Sequence, residues 1–274
     1  MQRATVLIVA AFLVTGCARR HWTSDHPDVA VRAQAEPQAF VGPALQQWAE
    51  LQSLAGSYSI RVAKGIGRGS ADLAIAVRRP ADVDINILGP TGAPQAYLRA
   101  NAREVGLSFG EERVLYRGPS TGGAFERALG FDLSAAHVVA TLLGYGIPEA
   151  EATGTSATWD ADARRIRVDT VNGTQAWLHP VTRRFDQIER GDVRGMVTAT
   201  LTSWLTLPPV PDALRLQVEP DGYGIELSLS GAPTVNPEFP PGFFEIDVPP
   251  GFEVRALAEL AQNGGIFGRL APEE

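Results

Sequence analysis

Four histidines, one cysteine and a few acidic pairs are the side chains of this 274-residue chain with an obvious capacity for chemistry. General acid–base catalysis needs such a group to converge with other polar residues. His21 and His26 lie in a polar N-terminal segment, His137 on an apolar helical stretch, and His179 before Pro180 at a strand end. Their settings predict a satisfied or partly exposed His137 and a surface His179, neither of them a ligand. The patterns H-E-x-x-H, C-x-x-C and G-x-S-x-G do not occur, so zinc-protease, thiol-redox and esterase-elbow chemistry lack their residues. Gly65-Ile66-Gly67-Arg68-Gly69-Ser70 has the glycine density of a phosphate loop. It stands between two strand-like segments with no helix after it and no G-K-[ST], which makes it a hairpin turn. Asp160 and Asp162 flank a turn before Arg164 and lack the glycine and terminal glutamate of a calcium loop. The sequence therefore predicts no enzyme, no metal and no cofactor.

The cysteine is different. Arg3 opens the chain, residues Ala4 to Val14 are apolar apart from Thr5, and Leu13-Val14-Thr15-Gly16 leads into Cys17. A positive start, a short apolar core and small residues form a secretory signal, too short for a stable bilayer span. A small residue directly before a lone cysteine resembles the bacterial lipobox. That resemblance implies removal of residues 1–16 and a mature chain beginning at Cys17. The cysteine would carry a diacylglyceryl thioether and an amide-linked acyl chain, together a stable membrane anchor.

Composition narrows the rest. Hydrophobic residues make up 45% of the chain and charged residues 20%, enough apolar material for a sizeable core. A formal charge of −7 argues against a nucleic-acid partner, which needs a basic surface. With a single cysteine the fold has no internal disulfide.

Residues 17–42, rich in Arg, Asp, Glu, Gln and Pro, are predicted to be a lipidated cysteine followed by a flexible tether. A helix is predicted over Pro43–Ala55, with Leu45, Trp48, Leu51 and Leu54 on its apolar face and Gly56 as its stop. The apolar period then shifts to two. Tyr58/Ile60/Val62, Leu73/Ile75/Val77, Val83/Ile85/Ile87, Ala96/Leu98, Val105/Leu107/Phe109 and Val114/Tyr116 alternate with polar or small residues. Such alternation, joined by Gly/Pro-rich spacers, predicts a meander of antiparallel hairpins.

Two helices follow, near Thr121–Leu129 and Ala135–Leu143, the second with Ser134 as N-cap and Gly144 as its stop. Val138, Val139, Leu142 and Leu143 make that second helix apolar over most of its surface, so it should plug or lid a curved sheet. Strands resume around Ile166/Val168, Ala176/Leu178, Phe185/Ile188, Val197–Leu205, Leu214–Val218 and Ile225–Leu229, the last two joined at Asp221-Gly222. Phe244/Ile246/Val248 predict a final strand, Arg255–Gln262 a short helix, and residues 263–274 a frayed tail. Residues 43–262 read as one domain. So many antiparallel strands must curl to protect their edges, leaving an apolar concavity that is either filled by side chains or open to an apolar ligand.

Three stretches resemble the lipoprotein-sorting fold of LolA and LolB. These are the run from Asp84 through Leu88-Gly89-Pro90-Thr91-Gly92 to Ala96-Tyr97-Leu98, the run from Ala128-Leu129-Gly130 through Ser134 to Leu142-Leu143-Gly144-Tyr145-Gly146-Ile147-Pro148, and Val248-Pro249-Pro250-Gly251-Phe252-Glu253-Val254. The resemblance is closest to lipid-anchored LolB. It implies an antiparallel unclosed β-barrel with a helical lid or plug, and a cavity that takes lipoprotein acyl chains, with Val138, Val139, Leu142 and Leu143 on the lid. It also implies an outer-membrane location on the periplasmic face, a soluble LolA-like shuttle as partner, and a membrane-facing loop at Gly89, Pro90, Thr91 and Gly92. LolB has an exposed leucine in that loop where this chain has Thr91, which bears on the insertion step. Ala18 after the cysteine favours the outer membrane by analogy with sorting in enteric bacteria. The other reading of the same residues is a non-catalytic structural or interaction lipoprotein that uses the half-barrel as a docking surface.

Overall fold

The computed structural model describes residues 26–64, 67–121, 123–192, 195–206, 209–220, 222–260 and 265–267, with only the backbone at Asp192. The signal segment, Cys17, His21, Trp22, the hairpin tip at 65–66 and Asp221 lie outside them. Two helices come first, α1 (Pro27–Ala35) and α2 (Gln38–Gln47). One meander follows: β1 (Ser53–Lys64), β2 (Gly67–Arg78), β3 (Asp82–Leu88), β4 (Pro94–Ala100), β5 (Glu104–Phe109) and β6 (Val114–Pro119). Helices α3 (Ala124–Leu129) and α4 (Ala135–Leu142) separate it from a second: β7 (Ser156–Asp160), β8 (Arg165–Asp169), β9 (Gln175–Leu178), β10 (Phe185–Asp192), β11 (Gly195–Trp204), β12 (Pro211–Glu219) and β13 (Tyr223–Leu229). Two short strands follow, β14 (Thr234–Val235) and β15 (Glu253–Ala256).

All these strands belong to one sheet, in the order β15-β6-β5-β4-β3-β2-β1-β13-β12-β11-β10-β9-β8-β7, with β14 pairing β1. The two meanders are fused where β1 meets β13 in antiparallel register, Ile60 opposite Leu227 and Val62 opposite Ile225. The described path ends at β15 on one side and β7 on the other, so it forms an open, curled sheet. The alternating apolar residues share one face: Tyr58, Ile60, Val62, Leu73, Ile75, Val77, Val83, Ile85 and Ile87 are all buried, and with their counterparts on β11–β13 they form the core. Pattern and sheet agree here because one face of an antiparallel sheet must leave water and the other need not.

The helices fold as expected in the middle of the chain. Ser134 Oγ accepts the His137 N–H at the start of α4. At the other end Gly144 adopts φ 80°, and a Cβ there would lie 2.7 Å from the Trp204 ring, so only glycine fits.

Elsewhere the structure corrects the sequence. The tether is not structureless to residue 42, because α1 and α2 begin at Pro27 and Gln38 and bury Ala33, Val41 and Ala44 in the core. Small residues suffice for that packing and left too weak an apolar period to be read. Pro43 consequently lies inside α2, not at a helix start. Leu54 and Gly56 belong to β1, and Trp48 is fully buried, as its type suggested. No apolar alternation marks β7, whose residues Ser156–Asp160 are all half-buried or exposed. Phe244–Val248 is no strand, although Phe244 and Ile246 are buried. Its alternation comes from lying across the outer face of the sheet, where Asn101 Nδ2 and Arg99 Nη1 donate to the Phe244 and Glu245 carbonyls. Ile246 fills the space over Gly106, within 2.7 Å of where a Cβ would stand. Of the expected helix at 255–262, residues 255–260 form instead the end of β15, parallel to β6, and a 3-10 turn at Leu257–Glu259, and 261–262 lie outside the described residues. In the supposed tail, Ile266 and Phe267 are buried.

Candidate functional site

The curled sheet presents an aliphatic floor: Ile60 of β1, Leu73 and Ile75 of β2, Ile85 of β3, and Leu214, Leu216, Ile225 and Leu227 of β12 and β13. Over it lie Val138 and Leu142 of α4, Leu129 of α3, and Phe131 and Leu133 of the loop between the helices, with Phe267 beside them. Between floor and cover is a slot of about 50 Å³. Among the described residues Thr141 is the only polar one lining it. That volume holds one or two small groups, since water in the liquid occupies about 30 Å³, and it falls well below the roughly 300–1,000 Å³ of occupied ligand pockets. The slot is therefore too small for a chain-like ligand unless the cover moves.

Val138 and Leu142 face the slot as a lid requires. Val139 and Leu143 do not: they turn to the opposite side of α4, against Arg79, Pro80 and Tyr145. Leu129, Phe131 and Phe267 were not recognised from the sequence as cover residues. Phe131 and Phe267 stack at 6.1 Å between centroids, a contact between segments distant in the chain that no local pattern signals. The turn Gly89-Pro90-Thr91-Gly92 projects from the β3–β4 hairpin, exposed at Pro90, Thr91 and Gly92, and closed by the Gly92 N–H donating to the Gly89 carbonyl. Its tip bears no large apolar side chain.

The cover is fixed at both ends of α4. At its start, His137 is 3% exposed, with Nδ1 2.6 Å from Ser134 Oγ and Nε2 3.1 Å from Thr174 Oγ1, 3.0 Å from Arg190 Nη1 and 3.3 Å from Glu151 Oε1. Thr170 Oγ1 donates to Glu151 Oε2 at 3.1 Å. Burial pushes the Glu151 carboxyl up, but hydrogen bonds from His137, Thr174 and Thr170 outweigh it and hold the group at about 2. Beyond the end of α4, Arg79 stacks on Tyr145 at 4.5 Å and pairs with Glu149 at 2.7 Å.

Ser134 and Glu151 flank the His137 ring as in a hydrolase triad but with its nitrogens exchanged, Ser134 on Nδ1 and Glu151 on Nε2. Ser134 Oγ caps its own helix, and the group around His137 is buried with Thr170 and Thr174. Its role is to fasten α4 to the second meander. His179 is buried, not at the surface, and its Nδ1 accepts the Val181 and Thr182 N–H groups at 3.2 Å. Burial, then the charges of Arg165 and Arg184, lower its imidazole to about 4. Asp160 Oδ1 accepts the Asp162 and Ala163 N–H groups, the solvated turn that was expected. Among the described residues no group of three His, Cys, Asp or Glu side chains is placed to hold a metal ion.

A curled, unclosed sheet, antiparallel but for the β15–β6 pair, with helices across its apolar concave face defines a half-barrel. No protein-family model matches the sequence, and no curated protein sequence matches it. Solved structures do match the fold. A LolA superfamily protein from Nitrosomonas europaea superposes with a TM-score of 0.51 at 12% identity, covering 76% of this chain and 97% of that one. A DUF1329 family protein from Desulfovibrio piger gives 0.53 at 9% identity, covering 76% and 96%. A domain described as an outer membrane lipoprotein-sorting protein, from Vibrio parahaemolyticus, gives 0.51 at 10% identity, covering 75% and 94%. The fold of this chain is LolA/LolB-like, as the sequence resemblance implied.

Proposed function

We propose that this protein is a non-enzymatic, lipid-anchored carrier that receives acyl chains between α4 and the sheet and takes part in lipoprotein sorting or insertion. One observation supports this above the others: the apolar faces of the sheet and α4 enclose a slot whose floor is wholly aliphatic. Such a surface binds by removing hydrocarbon from water, about 0.8 kcal/mol for each CH₂ buried, and needs no covalent step. In the closed form the cover's own side chains occupy that surface, so an entering chain replaces Val138 and Leu142 on the floor. Exchange of similar apolar contacts makes uptake and release nearly balanced, as a carrier requires.

In this reading Cys17 holds the protein on the periplasmic face of the outer membrane, and a soluble LolA-like shuttle delivers the cargo. The Gly89–Gly92 turn, lacking an apolar tip, contributes little to membrane insertion. A scaffold role for the half-barrel is the second reading, favoured by the small volume of the slot. A photo-crosslinker at Leu142 in living cells separates the two. Adducts to lipidated protein support the carrier; adducts confined to the chain's own floor residues leave the scaffold. Cys17→Ser should move the protein into the soluble periplasmic fraction, and membrane retention of that variant would contradict the anchor.

A further inference from the structure

Among the described residues five large apolar side chains are exposed: Val31, Val171, Met196, Val248 and Val254. Four of them stand at one end of the sheet. The antiparallel registers put the turns at 89–92, 110–113 and 170–174 at that end, with Val171 on the last. Met196 is the second residue of β11, opposite Glu219 at the end of β12. The 244–248 strap climbs from Asn101 past Gly106 to Tyr97, whose hydroxyl donates to the Asp247 carbonyl. Val248 thus leads into a turn at 248–252 that closes where the Glu253 N–H donates to the Arg113 carbonyl. Val254 follows, opposite Leu115.

Val171 is the most exposed of the five, at 73%, and its turn is braced. The Thr170 N–H donates to the Thr174 carbonyl, and Thr170 Oγ1 accepts the Thr174 N–H while donating to Glu151. A side chain displayed this way loses little freedom on contact. The turns at 89–92, 170–174 and 248–252 carry no charged residue, so they can enter a lipid interface without burying a charge.

The fifth side chain, Val31, points to what covers this end. It lies on α1, which leads into α2, and α2 begins at the same end: Gln38 Nε2 donates to the Thr155 carbonyl, just before β7. A Cβ on the neighbouring Gly154 would lie 3.5 Å from the Val171 side chain. At the other end of α2, Trp48 Nε1 donates to the Arg183 carbonyl, at the far end of the sheet. Ten peptide links join Cys17 to Pro27, at most about 36 Å of extended chain. A lipid on Cys17 therefore brings the bilayer to the end where α2 begins.

We infer that this end of the half-barrel is a bilayer-contact surface, with Val171 and the Val248–Phe252 turn seated among lipid headgroups beside the anchor. Gathered exposed apolar side chains mark such surfaces. Exposed Glu111 and Glu112 in the 110–113 turn disfavour an anionic surface, so the lipid is zwitterionic. The inference rests on the lipid-anchored reading and adds which face of the protein meets the membrane.

The test uses the full lipidated chain in phosphatidylcholine vesicles. Val171→Cys, Val248→Cys and Ala163→Cys each carry the same NBD label, the Cys17 thiol being blocked by its lipid. Ala163 is exposed in the β7–β8 turn at the opposite end of the sheet and serves as the control. The expected result is blue-shifted emission at 171 and 248, with quenching by doxyl-labelled lipid about twofold or more above that at 163. Quenching no greater than at 163, in protein that floats with the vesicles, overturns the contact surface while leaving the anchor. A blue shift without lipid quenching assigns these residues to contact with a second copy of this chain and also overturns it. Protein that fails to float with the vesicles overturns the anchor and the surface together.

Discussion

Glu151→Ala should loosen the cover before it loosens the sheet. Glu151 lies in the 3-10 turn at Glu149–Glu151 and reaches Arg190 of β10 at 3.4 Å, His137 of α4 at 3.3 Å and the Thr170 hydroxyl at 3.1 Å. Removing the carboxylate leaves a buried imidazole, a buried threonine hydroxyl and a three-quarters-buried guanidinium short of their acceptor. Hydrogen bonds to a charged group contribute about 1.5–3 kcal/mol, and part of Arg190 can recover water. A loss of about 2–3 kcal/mol of global stability is therefore expected, read from the urea midpoint at unchanged slope. The local effect should be larger than the global one in its consequences. Amide exchange at Val138, Val139 and Leu142 should quicken more than at the buried β1–β3 core, because α4 loses its fastening to the second meander. Stability within 0.5 kcal/mol of the parent, or exchange that quickens equally in α4 and β2, would refute the assignment of this network as the fastening of the cover.

Val138→Glu places a charge against the aliphatic floor and should cost about 3 kcal/mol or more, or abolish acyl-probe uptake if the cover is forced open; a variant as stable as the parent that still takes up probe would contradict the placement of α4. Gly106→Val drives a side chain into Ile246 and should cost about 1–3 kcal/mol by lifting the 244–248 strap, with increased protease cleavage there as the check. Tyr58→Phe should leave the unliganded chain as stable as the parent or up to about 1 kcal/mol more stable, since no hydrogen bond to a described residue is lost. Acid should destabilise the fold in two overlapping windows. His179, lowered to about 4 in the fold, takes up a proton first in the unfolded chain, so its contribution is lost as pH falls from 6.5 through 4. Glu151, held at about 2, adds a loss between 4.5 and 2. Urea midpoints against pH should show both, and His179→Gln should flatten the upper window only.

The β architecture was legible because its signal is local and repeated. Tyr58/Ile60/Val62 and their counterparts alternate strictly, and the hairpin spacers name their own turns. The order of strands was not legible. Nothing in Ile60 or Leu227 announces that the first and last long strands pair, since that contact is set by the curl of the whole sheet. Val138 and Leu142 line the slot and Val139 and Leu143 do not, but apolarity on every side of α4 gives no means to tell the two pairs apart from the sequence. Where the sequence misled, packing without regular pairing was the cause. Phe244 and Ile246 alternate like a strand while lying across one, and α1 packs through Ala33, too small a residue to stand out in a polar stretch. Glu151, Arg190 and Thr174 meet His137 from three separate elements, so a buried ionic group was invisible to any motif.

The most direct test of the central claim is titration of the folded Cys17→Ser chain with a fluorescent fatty-acyl probe, followed by competition with a diacylated lipopeptide. Saturable binding that the lipopeptide displaces, and that Leu142→Trp weakens by filling the slot, is the predicted result. A folded chain that binds no probe at concentrations where the probe is monomeric would contradict acyl binding and leave the half-barrel as an anchored scaffold.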